Sequence, residues 1–426
     1  MPLRTAPSTP SQSKTDPQEV TMTGMYEKVL DWVNDFDHAD PEYNERAHEI
    51  WAEFQGSECP VAHSERYDGL WAPFTYEMVH EIAYDTEHFT SQGVVVNTGR
   101  PIAEAPVGPA PPITSDPPFH NIARRILLPP FAPKVIAEWE PEVRRLCNEL
   151  LDRMGDITEG ESIVDGAVQY AQSIPVNVIA RMLGFPTEDE DLFRDFVHNV
   201  LERINEPVED REEFMQPLAD YLDAQIEDHR QNPRDDLTNY LLNVEIAGNK
   251  LSDEHVRGSI LLLLVAGIDT TWSAIGSSLW HLGTHPADLQ RLVDEPDVMM
   301  FALEEFLRAY APVTMARLVK EDYDFHGCPM KANDWVLLPF PAANRDPKQF
   351  EHATQFVIDR QENRHGAFGL GIHRCLGSNL ARLELKVAVE EFVRRFPSFT
   401  VDGDTRWSVG QIRGPRELPL RVLKAS

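Results

Sequence analysis

Helical periodicity, unbroken by any repeat, composition shift or flexible linker from about residue 25 to the end, most limits what this 426-residue chain can fold into. Apolar positions recur at helical spacing over Met25–Phe36, Pro41–Gln55, Pro133–Met154 and a pair covering Leu192–Asn205 and Glu212–Gln231. They recur again over Asp253–His285, Asp297–Tyr310 and Leu376–Phe396. Short apolar stretches such as Trp335–Leu338, stopped by Pro339, add a minor β component. The expected fold is mainly α with a small β-rich region, residues 25–426 forming a single domain. Residues 1–24 are polar, rich in Ser, Thr and Pro, and lack the apolar core of a signal peptide. They are expected to form a disordered arm on a cytoplasmic protein.

Charge and cysteine usage narrow the function classes. A formal net charge of −31, from 39 basic and 70 acidic residues, argues against a general nucleic-acid binder. The longest apolar run, Ile260–Ile268, is too short to cross a bilayer, so no membrane partner is expected. Cys59, Cys147, Cys328 and Cys375 show no CxxC spacing, which disfavours a zinc site or a disulfide framework. The HEI triplets at His48 and His80 lack the second histidine of a zincin helix. From Thr90 to Pro118 the chain reads as an irregular loop with seven prolines. Its apolar trio Val94–Val96 suggests a functional loop packed over something.

The stretch AFGLGIHRCLGSNLAR, Ala367–Arg382, sets Cys375 among glycines and cations at the start of a helix expected near Leu376. Gly369, Gly371 and Gly377 permit tight turns and close approach to a flat ligand. The helix N-terminus, Arg374 and His373 favour thiolate over thiol, lowering the cysteine pKa. A thiolate so placed is a nucleophile or a metal ligand; a buried cysteine acting as a small hydrophobe is the plain alternative.

Three other stretches carry polar residues that need an explanation. In VAGIDTTWS, Asp269 and Thr270 interrupt the apolar run of the Asp253–His285 helix, where they are costly unless paired or solvated. With Gly267 they suggest a local helix opening, the alternative being a threonine that bonds its own helix. Glu305 and Arg308 stand three apart on one helix and can pair. His120 and Arg124 share a helix face after two prolines, where Arg124 suits a carboxylate ligand.

FGLGIHRCLG, Phe368–Gly377, resembles the haem-binding signature of the cytochrome P450 superfamily, matching at Phe368, Gly371, His373, Cys375 and Gly377. The resemblance extends from about Tyr43 to Val422 and includes ANRDP, Ala343–Pro347. It implies a cytochrome P450 fold with haem b between the long central helix and the cysteine loop. Cys375 then ligates the haem iron as a thiolate. Asp269 and Thr270 form the acid–alcohol pair of proton delivery, with Ala266 and Gly267 bordering the oxygen site. His120, Arg124, Arg317 and His373 hold the propionates. Glu305, Arg308 and Arg360 form a structural triad. By family position, the substrate pocket draws on Val94, Val95, Val96, Val265, Ala266, Val313, Thr314 and Ile412, with Arg413 beside it.

The implied function is a monooxygenase that inserts one atom of O2 into a small, largely apolar organic substrate, by hydroxylation or O-dealkylation. No flavin or iron–sulfur segment is recognisable in the 426 residues. Electrons are therefore expected from NAD(P)H through a separate ferredoxin and ferredoxin reductase, met by Arg125, Arg374 and Lys386 of a monomer. An H2O2-driven peroxygenase of the same fold and a non-catalytic haem-binding sensor are the alternative readings, with a haem-independent thiolate hydrolase more remote.

Overall fold

The computed structural model describes residues 28–97, 109–154, 161–201, 203, 208–246 and 248–423. The expected arm, residues 1–24, lies outside them. At the centre runs a helix from Asp253 to Thr284. Ser252 caps it by accepting from the His255 N–H, and Asp253 and Glu254 favour its positive end. His285 closes it and Pro286 opens the next helix. The central helix is long and apolar enough to cross a bilayer, yet 67% of its most apolar window is covered by protein. Its apolar sides serve the main hydrophobic core, which it shares with helices Glu140–Arg153, Ser173–Leu183 and Ser378–Arg395. Gly258 is required where this helix meets the proline-rich loop: a Cβ there would stand 2.6 Å from the Pro109 carbonyl oxygen.

The β component forms a mixed five-stranded sheet in the order Val61–Ser64, Leu70–Pro73, Trp335–Pro339, Thr314–Val319, Phe89–Thr90. Only the Leu70–Pro73 and Trp335–Pro339 pair is parallel. A second sheet orders Ser398–Val401, Pro419–Leu423 and Glu161–Asp165. Pro339 ends its strand, and the helix Phe340–Ala343 follows.

Several element boundaries depart from the periodicity. Residues 28–36 of the expected Met25–Phe36 helix are turns, leaving Leu30 and Val33 exposed. Asp31 accepts from the Val33 and Asn34 N–H groups, and Val33 and Phe36 bond across to the His63 backbone. A short carboxylate side chain here outcompetes the helical bond. Pro133–Met154 is two helices, Pro133–Ala137 and Glu140–Arg153, because Pro141 supplies no N–H and starts a new helix. The expected pair appears as Glu190–Leu201 and Val208–Gln231, the latter keeping Pro217 inside it. Asp297–Tyr310 begins as a 3-10 turn, Pro296–Val298, before Met299–Ala309. The last long helix starts at Ser378 rather than Leu376.

Glu305 and Arg308 are both fully buried and meet through two bonds of 2.7 Å, Nε to Oε2 and Nη2 to Oε1. Arg360 Nε reaches Glu305 Oε2 at 2.9 Å, and the Val357 N–H and Asn363 amide complete that carboxylate. The remaining Arg308 donors go to the carbonyls of Asn344, Ala353 and Gln355. The pair thus pins the irregular chain that leads to the cysteine loop. Glu305→Ala would leave two guanidinium groups facing an empty buried site, at a cost of about 3–5 kcal/mol. The expected outcome is a clearly lower urea midpoint; a midpoint within error of the parent would show that the triad is not needed for stability.

Candidate active site

The cysteine loop is closed by its own backbone. The Cys375 N–H bonds the Phe368 carbonyl at 2.6 Å, the Gly369 N–H bonds Gly366, and the Arg374 N–H bonds Gly371. Gly371, at φ 70°, would drive a Cβ to 2.0 Å from the Ala83 carbonyl oxygen of helix Tyr76–Tyr84. Its glycine therefore answers to protein packing rather than to a flat ligand, a correction to the sequence reading. Phe368 lies 4.4 Å from the Arg382 guanidinium, which is held by Glu304 through bonds of 2.6 and 2.9 Å. Burial pushes the Glu304 carboxyl up, but Arg382 and His365 outweigh it and hold it at about 2.

The charge balance at the sulfur also differs from the expectation. Burial is the largest influence on Cys375 and pushes the thiol up, against the Gly377 N–H and the charges of Arg124, Arg374 and Arg382. Desolvation of a charged sulfur exceeds what the helix start and nearby cations return. A bound metal cation would supply the missing stabilisation for a thiolate here.

His120, Arg124, Arg317 and His373 converge beside the cysteine. The His120 and His373 rings meet edge to face at 4.4 Å, and the Arg124 Nη2 donates to the Arg374 carbonyl at 2.5 Å. His373 Nε2 and Ser91 Oγ share a hydrogen bond of 2.8 Å. Burial and the charges of Arg317, His120 and Arg124 push His373 down to about 2, so it is neutral and adds no positive potential. Arg317 is 5% exposed and donates to the Ala316 carbonyl; burial lowers its pKa to about 10. Arg124 and Arg317 make no carboxylate ion pair among the described residues. His120 Nε2 is buried with no partner. These groups form a desolvated donor set that calls for anionic oxygens.

On the central helix, Ala266, Gly267 and Thr270 line the same cavity as Arg124, Arg317, Phe368, His373 and Cys375. The helix is continuous through this stretch, and Thr270 Oγ1 donates to the Ala266 carbonyl at 2.8 Å. The expected local opening is absent, and the threonine bonds its own helix. Asp269 turns the other way and is buried against Arg416, with contacts of 2.7 and 2.9 Å. Arg416, which packs 4.3 Å over the Trp272 ring, escaped the sequence reading. A buried carboxylate in an apolar helix demands a cation, but spacing alone cannot choose between Arg413 and Arg416.

Glu384 also escaped it. It lines the cavity from the Ser378–Arg395 helix, together with Thr271, and is 2% exposed. Burial pushes it up to about 8, so it is protonated at neutral pH.

The pocket assignments fare unevenly. Val313 and Ala266 line the cavity, whereas Val94, Val95, Val96, Val265, Thr314 and Ile412 do not. Val94 and Val96 are stitched to the sheet edge instead: the Val94 carbonyl accepts from Ala316, and the Val96 N–H donates to Gln411 Oε1. The Thr314 N–H bonds the Gln411 carbonyl, and Ile412 bridges Val313. Arg413 is turned away onto Asn44. From the proline-rich loop it is Pro112 and Ile113 that wall the cavity, facing Ile179, Leu262 and Leu263.

The residues fit an iron porphyrin: a buried sulfur under cationic influence, an orphaned His120 nitrogen and a carboxylate-free arginine edge at one end of an apolar cavity. Such a set suits a haem held through a cysteine sulfur. The cytochrome P450 family model matches residues 176–409, over half of the sequence, and the chain belongs to that family. It is a cytochrome P450 monooxygenase, an oxidoreductase. It is 34% identical over 316 residues to a cytochrome P450 of Bacillus subtilis (strain 168), covering 72% of this chain and 76% of that one. To the mycinamicin IV hydroxylase/epoxidase of Micromonospora griseorubida it is 32% identical, with 72% and 79% covered. A solved Bacillus megaterium cytochrome P450 in complex with testosterone superimposes with a TM-score of 0.80 at 31% identity, over 89% of this chain and 98% of that one.

Glu384 makes stability depend on pH in a stated direction. Its folded value lies above the ordinary 4.5, so the folded chain keeps a proton that the unfolded chain loses. That contribution is full below about pH 4.5 and is lost as pH rises toward about 8, with a limiting slope of about 1.4 kcal/mol per pH unit. The melting temperature of the parent minus that of Glu384→Gln is expected to fall steadily from pH 5 to 8. A flat difference would mean that Glu384 ionises normally.

Proposed function

We propose that the chain is an O2-dependent monooxygenase inserting one oxygen atom into a small, largely apolar substrate, residues 25–426 acting as one catalytic domain. The observation that carries this reading is the meeting of Cys375, Thr270 and an apolar wall in a single cavity. Bound haem b supplies the redox iron through which O2 oxidises carbon. Cys375 would ligate that iron as thiolate, and His120, Arg124, Arg317 and His373 would hold its propionates. The two histidines act as neutral hydrogen-bond partners and the two arginines as cations.

Substrate is chosen by Pro112, Ile113, Ile179, Leu262, Leu263 and Val313, which offer no charge and reward apolar surface. Excluding water, they also raise the worth of each polar group that remains. Thr270 holds a mobile proton at Oγ1 on the cavity wall, with the Ala266 carbonyl fixing its orientation. Asp269 must leave Arg416 to reach the cavity side, so that ion pair sets when protons are supplied.

Arg125 and Arg374 are exposed, as are the apolar Ile122, Leu128 and Val135 of the same region. This surface suits an acidic ferredoxin delivering electrons from NAD(P)H through its reductase, a fit for a cytoplasmic enzyme. Lys386 contributes less, being drawn to Glu390 at 3.5 Å.

The first experiment is the spectrum of the reduced protein with carbon monoxide, alongside turnover with NAD(P)H and redox partners. A strongly red-shifted Soret band and reductant-dependent product formation are expected; activity with peroxide alone would favour a peroxygenase. Thr270→Ala is expected to keep that band while product formed per NAD(P)H falls at least about tenfold. Unchanged coupling would remove Thr270 from proton delivery. Arg125→Glu is expected to raise the ferredoxin concentration for half-maximal rate, more so at low salt. A salt-independent, parent-like value would place docking elsewhere.

A further inference from the structure

Glu304 stands one residue before Glu305 on helix Met299–Ala309 but turns toward the cysteine loop instead. Its two oxygens meet Arg382 Nε at 2.6 Å and Nη2 at 2.9 Å, a bidentate fork. Oε2 also faces His365 Nε2 at 3.0 Å. His365 Nδ1 accepts the Ala367 N–H at 3.2 Å, so the ring proton sits on Nε2 and is donated to Glu304. His365 is thus a neutral donor here, and Arg382 supplies the positive charge.

The Arg382 guanidinium lies 4.4 Å over the Phe368 ring, while its Nη1 reaches the Ser378 carbonyl at 3.4 Å. Phe368 lines the cavity, and its carbonyl takes the Cys375 N–H at 2.6 Å. The ion pair is therefore joined to the cysteine through a single residue. Arg374, by contrast, is exposed, where solvent and salt screen it.

We infer, on the reading that Cys375 ligates haem iron, that Glu304 and Arg382 form an electrostatic pair that sets the reduction potential of that iron. Reduction takes one electron from the ferredoxin, converts ferric iron to ferrous, and adds one negative charge to the haem and its thiolate. A fixed positive charge nearby favours the reduced state and raises the potential; a fixed negative charge lowers it. Paired in the fork, the two charges largely cancel. Their side chains are only 27% and 29% exposed, so removing either partner leaves a charge that water screens incompletely. His365, with 3% of its side chain exposed, holds Glu304 from the protein side, so the carboxylate stays in place when Arg382 is altered. Arg382 and Glu304 act on the iron through the field beside Phe368, as positioning residues that touch neither haem nor substrate.

Midpoint potentials of the haem-loaded protein, titrated with dithionite in the absence of any redox partner, test this. Glu304→Gln keeps the shape and removes the negative charge. It is expected to raise the ferrous-to-ferric ratio at a fixed poise by at least about threefold, which is about 28 mV for one electron. Arg382→Gln is expected to lower that ratio by a similar factor, and the double variant to return close to the parent. Arg382→Lys keeps the charge without the fork and is expected to fall less than Arg382→Gln. Loosening of the loop would move both single variants in the same direction, whereas loss of opposite charges moves them apart. With the red-shifted Soret band of the reduced carbon monoxide complex intact, three results would overturn the proposal alone: shifts of one sign, shifts within error of the parent, or an equal fall for Arg382→Lys and Arg382→Gln. Absence of that band in the loaded parent would overturn the haem-thiolate reading as well.

Discussion

A buried carboxylate, Glu305, organises the approach to the sulfur. It fixes Arg308, whose outer nitrogen grips the Asn344 carbonyl. The Asn344 side-chain oxygen, in a residue with no exposure, accepts from the Gly366 N–H at 2.7 Å. The Gly366 carbonyl then receives Gly369, and the Phe368 carbonyl receives Cys375. A continuous run of hydrogen bonds therefore joins the helix Met299–Ala309 to the cysteine. Irregular chain buried at this depth has no ladder of its own, so side chains must satisfy its carbonyls.

Around the cavity, desolvation decides protonation more often than neighbouring charge does. It raises Cys375 and Glu384 and lowers Arg317, His120 and His373. Each shift moves a group toward its neutral form. The outcome is a cavity whose charges await an opposite partner: a sulfur that a metal cation would stabilise, and arginines that carboxylates would satisfy. Asp269 is the exception, because Arg416 was brought from a distant strand to meet it.

Much of this was legible in order along the chain. The helix Pro41–Gln55 matches its periodicity to the residue, with Asp40 capping it, since cap and apolar stripe are local properties. The triad of Glu305, Arg308 and Arg360, and the convergence of His120, Arg124, Arg317 and His373, were reachable through motif resemblance alone. Residues 28–36 misled because Asp31 and the backbone bonds of Val33 and Phe36 to His63 hold them in turns, and an apolar pattern does not reveal those partners. Val94–Val96 misled in a similar way: an apolar trio packs as well onto a sheet edge as onto a substrate.

The amino-acid sequence by itself determined the helical character, the position of the sulfur in a tight loop, and the acid and alcohol side by side in an apolar helix. These depend on neighbours within a few residues, where spacing and propensity act directly. Tertiary structure alone decided that Asp269 faces Arg416 while Thr270 faces the cavity, that Glu384 sits protonated in its wall, and that Pro112 and Ile113 rather than the valines shape it. Each of these depends on groups between about 100 and 300 residues apart meeting in a desolvated space, and no local pattern encodes which distant partner will be there.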